Sequence, residues 1–286
     1  MVQIAVIGDI HLQFDATDVA YFNQSDDDLL LCVGDLGTIL RRGDTAVADS
    51  LSQLQKPVLF IPGNHDTVTA WQLLAEIWHR GWFARLTAAG QAGRVARLQR
   101  RLGRVQWCGY STHPFVIHDF DFAVIAARPF SMGGPWLSFH PYLQRQYGVN
   151  SLAASAALLK AQIDATPSDN LIFLAHNGPS GLGSTQEAIW GCDFRPEAGD
   201  FGDPDLQEAI AYARTSGKRV LAVVAGHMHR TLKGGGVRDW LVHKDGTIYV
   251  NGACVPRIFT QNEQFVRHHL QLLVSHEGVT VRDMII

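Results

Sequence analysis

Leu29-Leu30-Leu31-Cys32-Val33-Gly34-Asp35 is an apolar run that stops abruptly at a glycine and a carboxylate. Strands buried on both faces of a parallel sheet read as unbroken apolar runs of this kind, and in open α/β sheets ligands gather beyond their carboxyl ends. Asp35 is therefore expected where chemistry is done.

The pattern repeats outward from that stretch. Gln3–Ile7 leads into Gly8-Asp9-Ile10-His11, and Pro57–Ile61 into Pro62-Gly63-Asn64-His65-Asp66. Further on, Leu171–Ala175 delivers His176-Asn177-Gly178, and Val220–Ala225 delivers Gly226-His227-Met228-His229. Each strand-like run ends in His, Asp or Asn, mostly beside a glycine.

Helical patterns fill the intervals over Asp15–Asn23, Arg41–Gln55, Thr69–His79, Gly90–Gly103, Asn150–Ala165 and Asp205–Thr215. Strands alternating with helices predict a mainly parallel sheet. Val105–Tyr110 and Phe122–Ala127 read as further strands. Leu241–His243, Thr247–Asn251 and Arg267–Val274 read as hairpin strands in a second, antiparallel sheet packed on the first. The fold class expected is an α/β sandwich of two sheets.

No linker or repeat divides the chain, so residues 1–286 are read as one domain. Two stretches break the rhythm, at about 129–148 and 177–204, rich in Gly, Pro and aromatics; long loops in a compact domain are more often functional than accidental, and these are the expected substrate wall. In the third helix Trp71, Leu74, Ile77 and Trp78 are expected to pack in the core. In the next, Arg94, Arg97, Arg100 and Arg101 are expected to form a solvated basic face.

With 47% hydrophobic residues the 286-residue chain can bury a substantial core, and a net charge of −3 gives no global attraction to nucleic acid or an anionic membrane. Neither partner is expected. Cys32, Cys108, Cys192 and Cys254 lie far apart and never form C-x-x-C, which reads as a reducing compartment. No apolar stretch approaches the roughly 18 residues of a membrane span. A cytoplasmic location is expected, while the sequence has no bearing on oligomeric state.

The groups offered by the strand ends are Asp9, His11, Asp35, Asn64, His65, His176, His227 and His229. In extended chain, residues i and i+2 point the same way, so Asp9 with His11, and His227 with His229, can each reach one centre. Imidazoles, carboxylates and one amide oxygen without a thiolate suit manganese, iron or zinc. Seven such groups are too many for one tetrahedral ion, but they fit two ions about 3.5–4 Å apart that share a carboxylate. Asp35, on the central strand, is the natural bridge.

The series Asp9-x-His11, Gly34-Asp35, Gly63-Asn64-His65-Asp66, His176 and Gly226-His227-x-His229 resembles the five motif blocks of the calcineurin-like metallophosphoesterase superfamily, in order, across roughly the first 230 residues. The resemblance implies a two-sheet α/β/α sandwich. It also implies that Asp9, His11, Asp35 and His229 hold one metal and Asp35, Asn64, His176 and His227 the other. His65 would be the acid that protonates the leaving oxygen, oriented by Asp66, and a metal-bridging hydroxide the nucleophile. The expected activity is hydrolysis of a small organic or nucleotide-like phosphate ester, with a phosphodiesterase and a silent scaffold as alternatives.

The chain departs from the protein Ser/Thr phosphatase branch, since Asp35 leads into LGTILRRGD and the third block ends in Asp66 rather than Glu. AHNGPSGLG around His176 resembles a subgroup found in cyanobacteria and plastids. Arg128, His113, and Arg42 with its neighbour Arg41 are candidates to hold the phosphate, Arg because guanidinium binds phosphate through two parallel hydrogen bonds. A Rossmann reading fails for want of G-x-G-x-x-G. An HD-type phosphohydrolase needs His65-Asp66 on a helix, where Pro62-Gly63-Asn64 forces a turn.

Overall fold

A computed structural model describes residues 1–38 and 43–286. The first sheet is organised by β1 (Val2–Ile7), β2 (Leu29–Cys32) and β3 (Val58–Phe60), mutually parallel, with β4 (Gln106–Trp107) parallel at one edge. The expected run to Asp35 ends its ladder at Cys32. Gly34 at φ 102° and Asp35 at φ 52° turn the chain out of the sheet.

The second sheet begins with a hairpin of β5 (Ser111–Ile117) and β6 (Phe120–Ala126), then adds β7 (Asn170–Leu174) and β8 (Arg219–Ala225) in parallel. β9 (Leu241–Lys244) and β10 (Thr247–Asn251) complete it, with β10 parallel to β8. The C-terminal strands do not form a sheet of their own as expected. Instead β11 (Ile258–Gln261), β12 (Gln264–Ser275) and β13 (Gly278–Ile285) close the first sheet, β12 running antiparallel to β1. Among the described residues the sheets have seven and six strands.

The two sheets pack face to face because both strand faces are apolar. Ile4, Val6, Leu29, Leu31, Leu59 and Leu272 meet Phe122, Val124, Ile172, Leu174, Val224 and Val250 in the layer between them. The alternate residues point outward. Ala5, Ile7, Leu30 and Phe60 pack under α1 (Ala16–Gln24), α2 (Asp44–Leu51) and α5 (Gln91–Leu102), after the intervening α3 (Ala70–Ile77) and α4 (Gly81–Thr87). On the other side Ile125, Phe173 and Val223 pack under α7 (Leu152–Ala165) and α8 (Pro204–Thr215), which follow α6 (His140–Tyr147). The result is helix, sheet, sheet, helix. Among the described residues no helix is long and apolar enough to cross a membrane.

Three sequence expectations are overturned here. The Trp71, Ile77 and Trp78 side chains do not pack in the core, being 66%, 50% and 55% exposed. α3 buries Gln72, Leu73 and Glu76 instead, because α5 meets it at Gln72 and the chain before α6 meets it at Glu76. Gln72 bonds Gln91 at 2.6 Å and accepts from Arg94 at 2.9 Å. Arg94 is thus a structural tether rather than part of a solvated face, whereas Arg97 and Arg100 are exposed as expected. The stretch at 129–148 also ends in a helix, α6.

Candidate metal centre

Five parallel strands deliver the site. The chain leaving β1 carries Asp9 and His11, that leaving β2 carries Asp35, and that leaving β3 carries Asn64 and His65. β7 delivers His176, and β8 delivers His227 and His229. Three of these residues are left-handed, His11 at φ 42°, Asp35 at 52° and His227 at 67°. Such a conformation costs a residue with a side chain about 1–2 kcal/mol, so the surrounding packing must hold it.

The side chains converge in two groups, Asp9 with His11 and His229, and Asp35 with His176 and His227; within each group the donor atoms lie within 4.8 Å of one another. Asp35 sits between them. Its Oδ2 is 3.9 Å from His11 Nε2, and its Oδ1 is 3.6 Å from His176 Nε2. Asn64 Oδ1 joins the second group, 2.9 Å from His176 Nε2, and His229 Nε2 lies 3.2 Å from His11 Nε2.

Backbone carbonyls fix the rings. His11 Nδ1 donates to Gly37 O at 3.0 Å and His176 Nδ1 to Val33 O at 2.6 Å, which leaves Nε2 of each for the centre. His227 uses Nε2 on Met132 O at 3.1 Å and so keeps Nδ1. Metal-bound imidazoles are held in this way, the second nitrogen setting tautomer and direction.

Crowding fits the same reading. A Cβ on Gly63 would stand 2.2 Å from Asp35 Oδ1 and 2.4 Å from His176 Cε1; one on Gly226 would stand 2.3 Å from Asp9 Oδ1. Only glycine lets the backbone come this close to the donors.

Charge is balanced within the cluster. Burial alone would raise Asp9, but the His229 hydrogen bond and the charges of His176, His229 and His11 hold it well below the usual carboxylate range. Asp35 is likewise lowered, burial being outweighed by His65, His176 and His11. His176 is raised although burial opposes it, because Asp35 and Asp9 draw positive charge to it. His227 is pushed down to about 3, by burial first and then by His176. Two buried carboxylates that call for positive charge, ringed by imidazoles, are a donor set suited to cations.

His65 stands at the edge of this group, Nε2 3.8 Å from Asp35 Oδ2, with burial lowering its pKa. Asp66 does not orient it. The Asp66 carboxylate instead accepts from the backbone N–H of Asp35, Leu36 and Gly63, each at 2.8 Å, while His65 Nδ1 has no partner among the described residues. Asp66 therefore clamps the loop after β2 to the loop after β3. Burial, with Asp35 close by, pushes it up to about 7.

The expected phosphate-holding residues lie elsewhere. Arg128 is 1% exposed and bound to Asp203 Oδ1 at 2.9 Å and Asp205 Oδ2 at 3.0 Å, so it ties β6 to α8 and is no phosphate clamp. His113, on β5, turns Nε2 to Ser111 Oγ at 2.9 Å and Cys108 Sγ at 3.3 Å, away from the metal ligands. Arg41 and Arg42 lie outside the described residues.

Arg238 was missed by sequence reasoning. It is buried, donates to His229 O at 3.0 Å and holds Gln186 O at 2.7 Å, fastening the loop after β7 to the end of β8. The adjacent Gly234-Gly235-Gly236 reads only as a turn, so no local signal reveals it.

Among the described residues two cavities border the centre. One, of about 340 Å³, is bounded by His227 and by Met132, Trp136, Phe194 and Phe201, from the two long stretches expected to form the substrate wall. The other, of about 540 Å³, is bounded by His65 together with Thr67, Arg94 and Arg97.

The sequence pattern of calcineurin-like phosphoesterases matches residues 2–231, and the chain belongs to that family. One solved crystal structure is similar at TM-score 0.56 and 11% identity, covering 98% of each chain. A Vps29 single mutant from Entamoeba histolytica has TM-score 0.36 and 11% identity, over 100% of this chain and 99% of that one. A hypothetical protein from Pyrococcus horikoshii OT3 has TM-score 0.38 and 10% identity, over 100% and 88%. No curated protein matches the chain. At 11% identity the likeness to the first of these structures is one of fold.

Proposed function

We propose that the chain is a metal-dependent phosphoesterase that uses two ions to hydrolyse a small organic or nucleotide-like phosphate ester. The observation that carries this is the position of Asp35, one oxygen turned to each ligand group, with His65 beside it. Asp9, His11 and His229 would hold one ion, Asn64, His176 and His227 the other, and Asp35 both. Bound there, divalent or trivalent ions would neutralise phosphoryl charge and make water acidic enough to attack phosphorus. Manganese, iron and zinc all suit an N/O donor set without thiolate.

The protein's own groups then do the rest. His65 would give a proton to the departing oxygen, which otherwise leaves as a poor alkoxide. Asp66, through the three amides, keeps Asp35 and Asn64 in register. Arg238 keeps the chain at His229 in place.

The test is hydrolysis of p-nitrophenyl phosphate beside bis-p-nitrophenyl phosphate, with the protein reconstituted in turn with manganese, iron and zinc. Turnover should follow the metal and be lost in Asp35→Ala, together with bound metal at both positions. Full metal loading without turnover of either ester would remove the reading.

A further inference from the structure

Among the described residues the two cavities share no lining residue, and each borders the centre through a different histidine. The more polar one reaches it at His65 and is lined as well by Arg94 and Arg97. The apolar one reaches it at His227, whose ring is fixed by Met132 O. A phosphomonoester has one organic substituent, and that substituent must leave on the side of the acid. One cavity would then serve it, and the other would have nothing to hold. A phosphodiester has two substituents and needs a place for each.

The apolar cavity has the character of a binding site. Trp136 and Phe194 form a wall capped by Arg195, whose guanidinium lies 6.0 and 5.8 Å from their rings; Phe201 meets Phe194 edge to face at 5.2 Å. Concave, aromatic-lined spaces of about 300 Å³ and more are typical of small-molecule sites. Glu76, only 8% exposed, also lines this cavity, and among the described residues its buried Oε1 has no hydrogen-bond partner. A buried oxygen left unpaired is costly, and a ligand hydroxyl or amine would satisfy it.

Taking the phosphoesterase reading as given, we propose that the substrate is a phosphodiester. Its retained half is an apolar or aromatic body with one hydrogen-bond donor, lodged in the Trp136 cavity, and its leaving alcohol lies on the His65 side. In the reaction the oxygen of water bonds to phosphorus and the bond from phosphorus to the leaving oxygen breaks. That oxygen keeps the electron pair and takes a proton from His65, while the attacking water gives up one proton to solvent, from which His65 is reprotonated. The products are the alcohol and a phosphomonoester that still carries the apolar half.

The test holds the leaving group constant. With the manganese-loaded protein, kcat/KM is measured for p-nitrophenyl 1-naphthyl phosphate, p-nitrophenyl methyl phosphate and p-nitrophenyl phosphate. The naphthyl diester should exceed the methyl diester by roughly 10- to 100-fold, the scale on which apolar pockets discriminate, and should exceed the monoester. Trp136→Ala should shrink the naphthyl-to-methyl ratio to within about threefold, mainly through KM. Preference for the monoester, or a ratio that Trp136→Ala leaves alone, would overturn the proposal while leaving a phosphoesterase. No turnover of any of the three would overturn the phosphoesterase reading and the diester with it.

Discussion

Asp35 and Arg128 are both buried and charged, yet their surroundings differ. Asp35 faces imidazoles that can trade a proton for a cation, whereas Arg128 has both of its carboxylates within hydrogen-bond reach. Arg128→Ala would strand Asp203 and Asp205 without a counter-charge, and removal of one partner of a buried pair costs about 3–5 kcal/mol. The expected outcome is a large fall in the denaturation midpoint of the metal-loaded protein. A variant of unchanged stability and raised KM would instead restore the phosphate-clamp role. For His65→Ala the metal content should stay and the rate loss should depend on the leaving group. Because acid assistance matters most for poor leaving groups, an alkyl ester should suffer at least tenfold more than a p-nitrophenyl ester. Equal slowing of both would show that His65 is not the acid.

At the scale of the element, α3 turns its polar residues inward and its tryptophans outward. Burial pushes Glu76 up to about 7, with the Phe139 amide opposing. The folded protein therefore keeps this proton between pH 4.5 and about 7, where the unfolded chain has released it. A raised carboxyl pKa means that stability falls as pH climbs through that window, then levels off. The shift corresponds to roughly 3 kcal/mol. Glu76→Gln should thus be more stable than the parent at pH 8, with the difference vanishing near pH 4. Paired thermal melts at the two pH values measure this, and equal differences at both would show that Glu76 titrates normally.

The whole molecule brings together residues from five strands in two sheets, so its site exists only when both sheets are packed. Ligand that binds the folded state alone stabilises it by mass action, about 2.7 kcal/mol at a hundredfold excess over Kd. Addition of manganese after chelation should therefore raise Tm by roughly 5 °C or more, and Asp35→Ala should abolish the increase. A Tm indifferent to metal in the parent protein would mean that the cluster does not bind it.

The sequence by itself determined the parallel strands, the apolar runs that make them, and the identity and order of the groups at their ends. These are local properties: an unbroken apolar run followed by glycine and a polar residue specifies both strand and exit. It also marked the two long stretches that border the apolar cavity. Only the tertiary structure decided the partners. Asp66 follows His65 in the chain but is nearer, in space, to the amides of Asp35, Leu36 and Gly63. β12 joins β1 across more than 250 residues, and Trp71 and Trp78 face outward because α5 claims the opposite side of α3. Periodicity says that a helix has two faces, and the choice of which one is buried belongs to whatever packs against it.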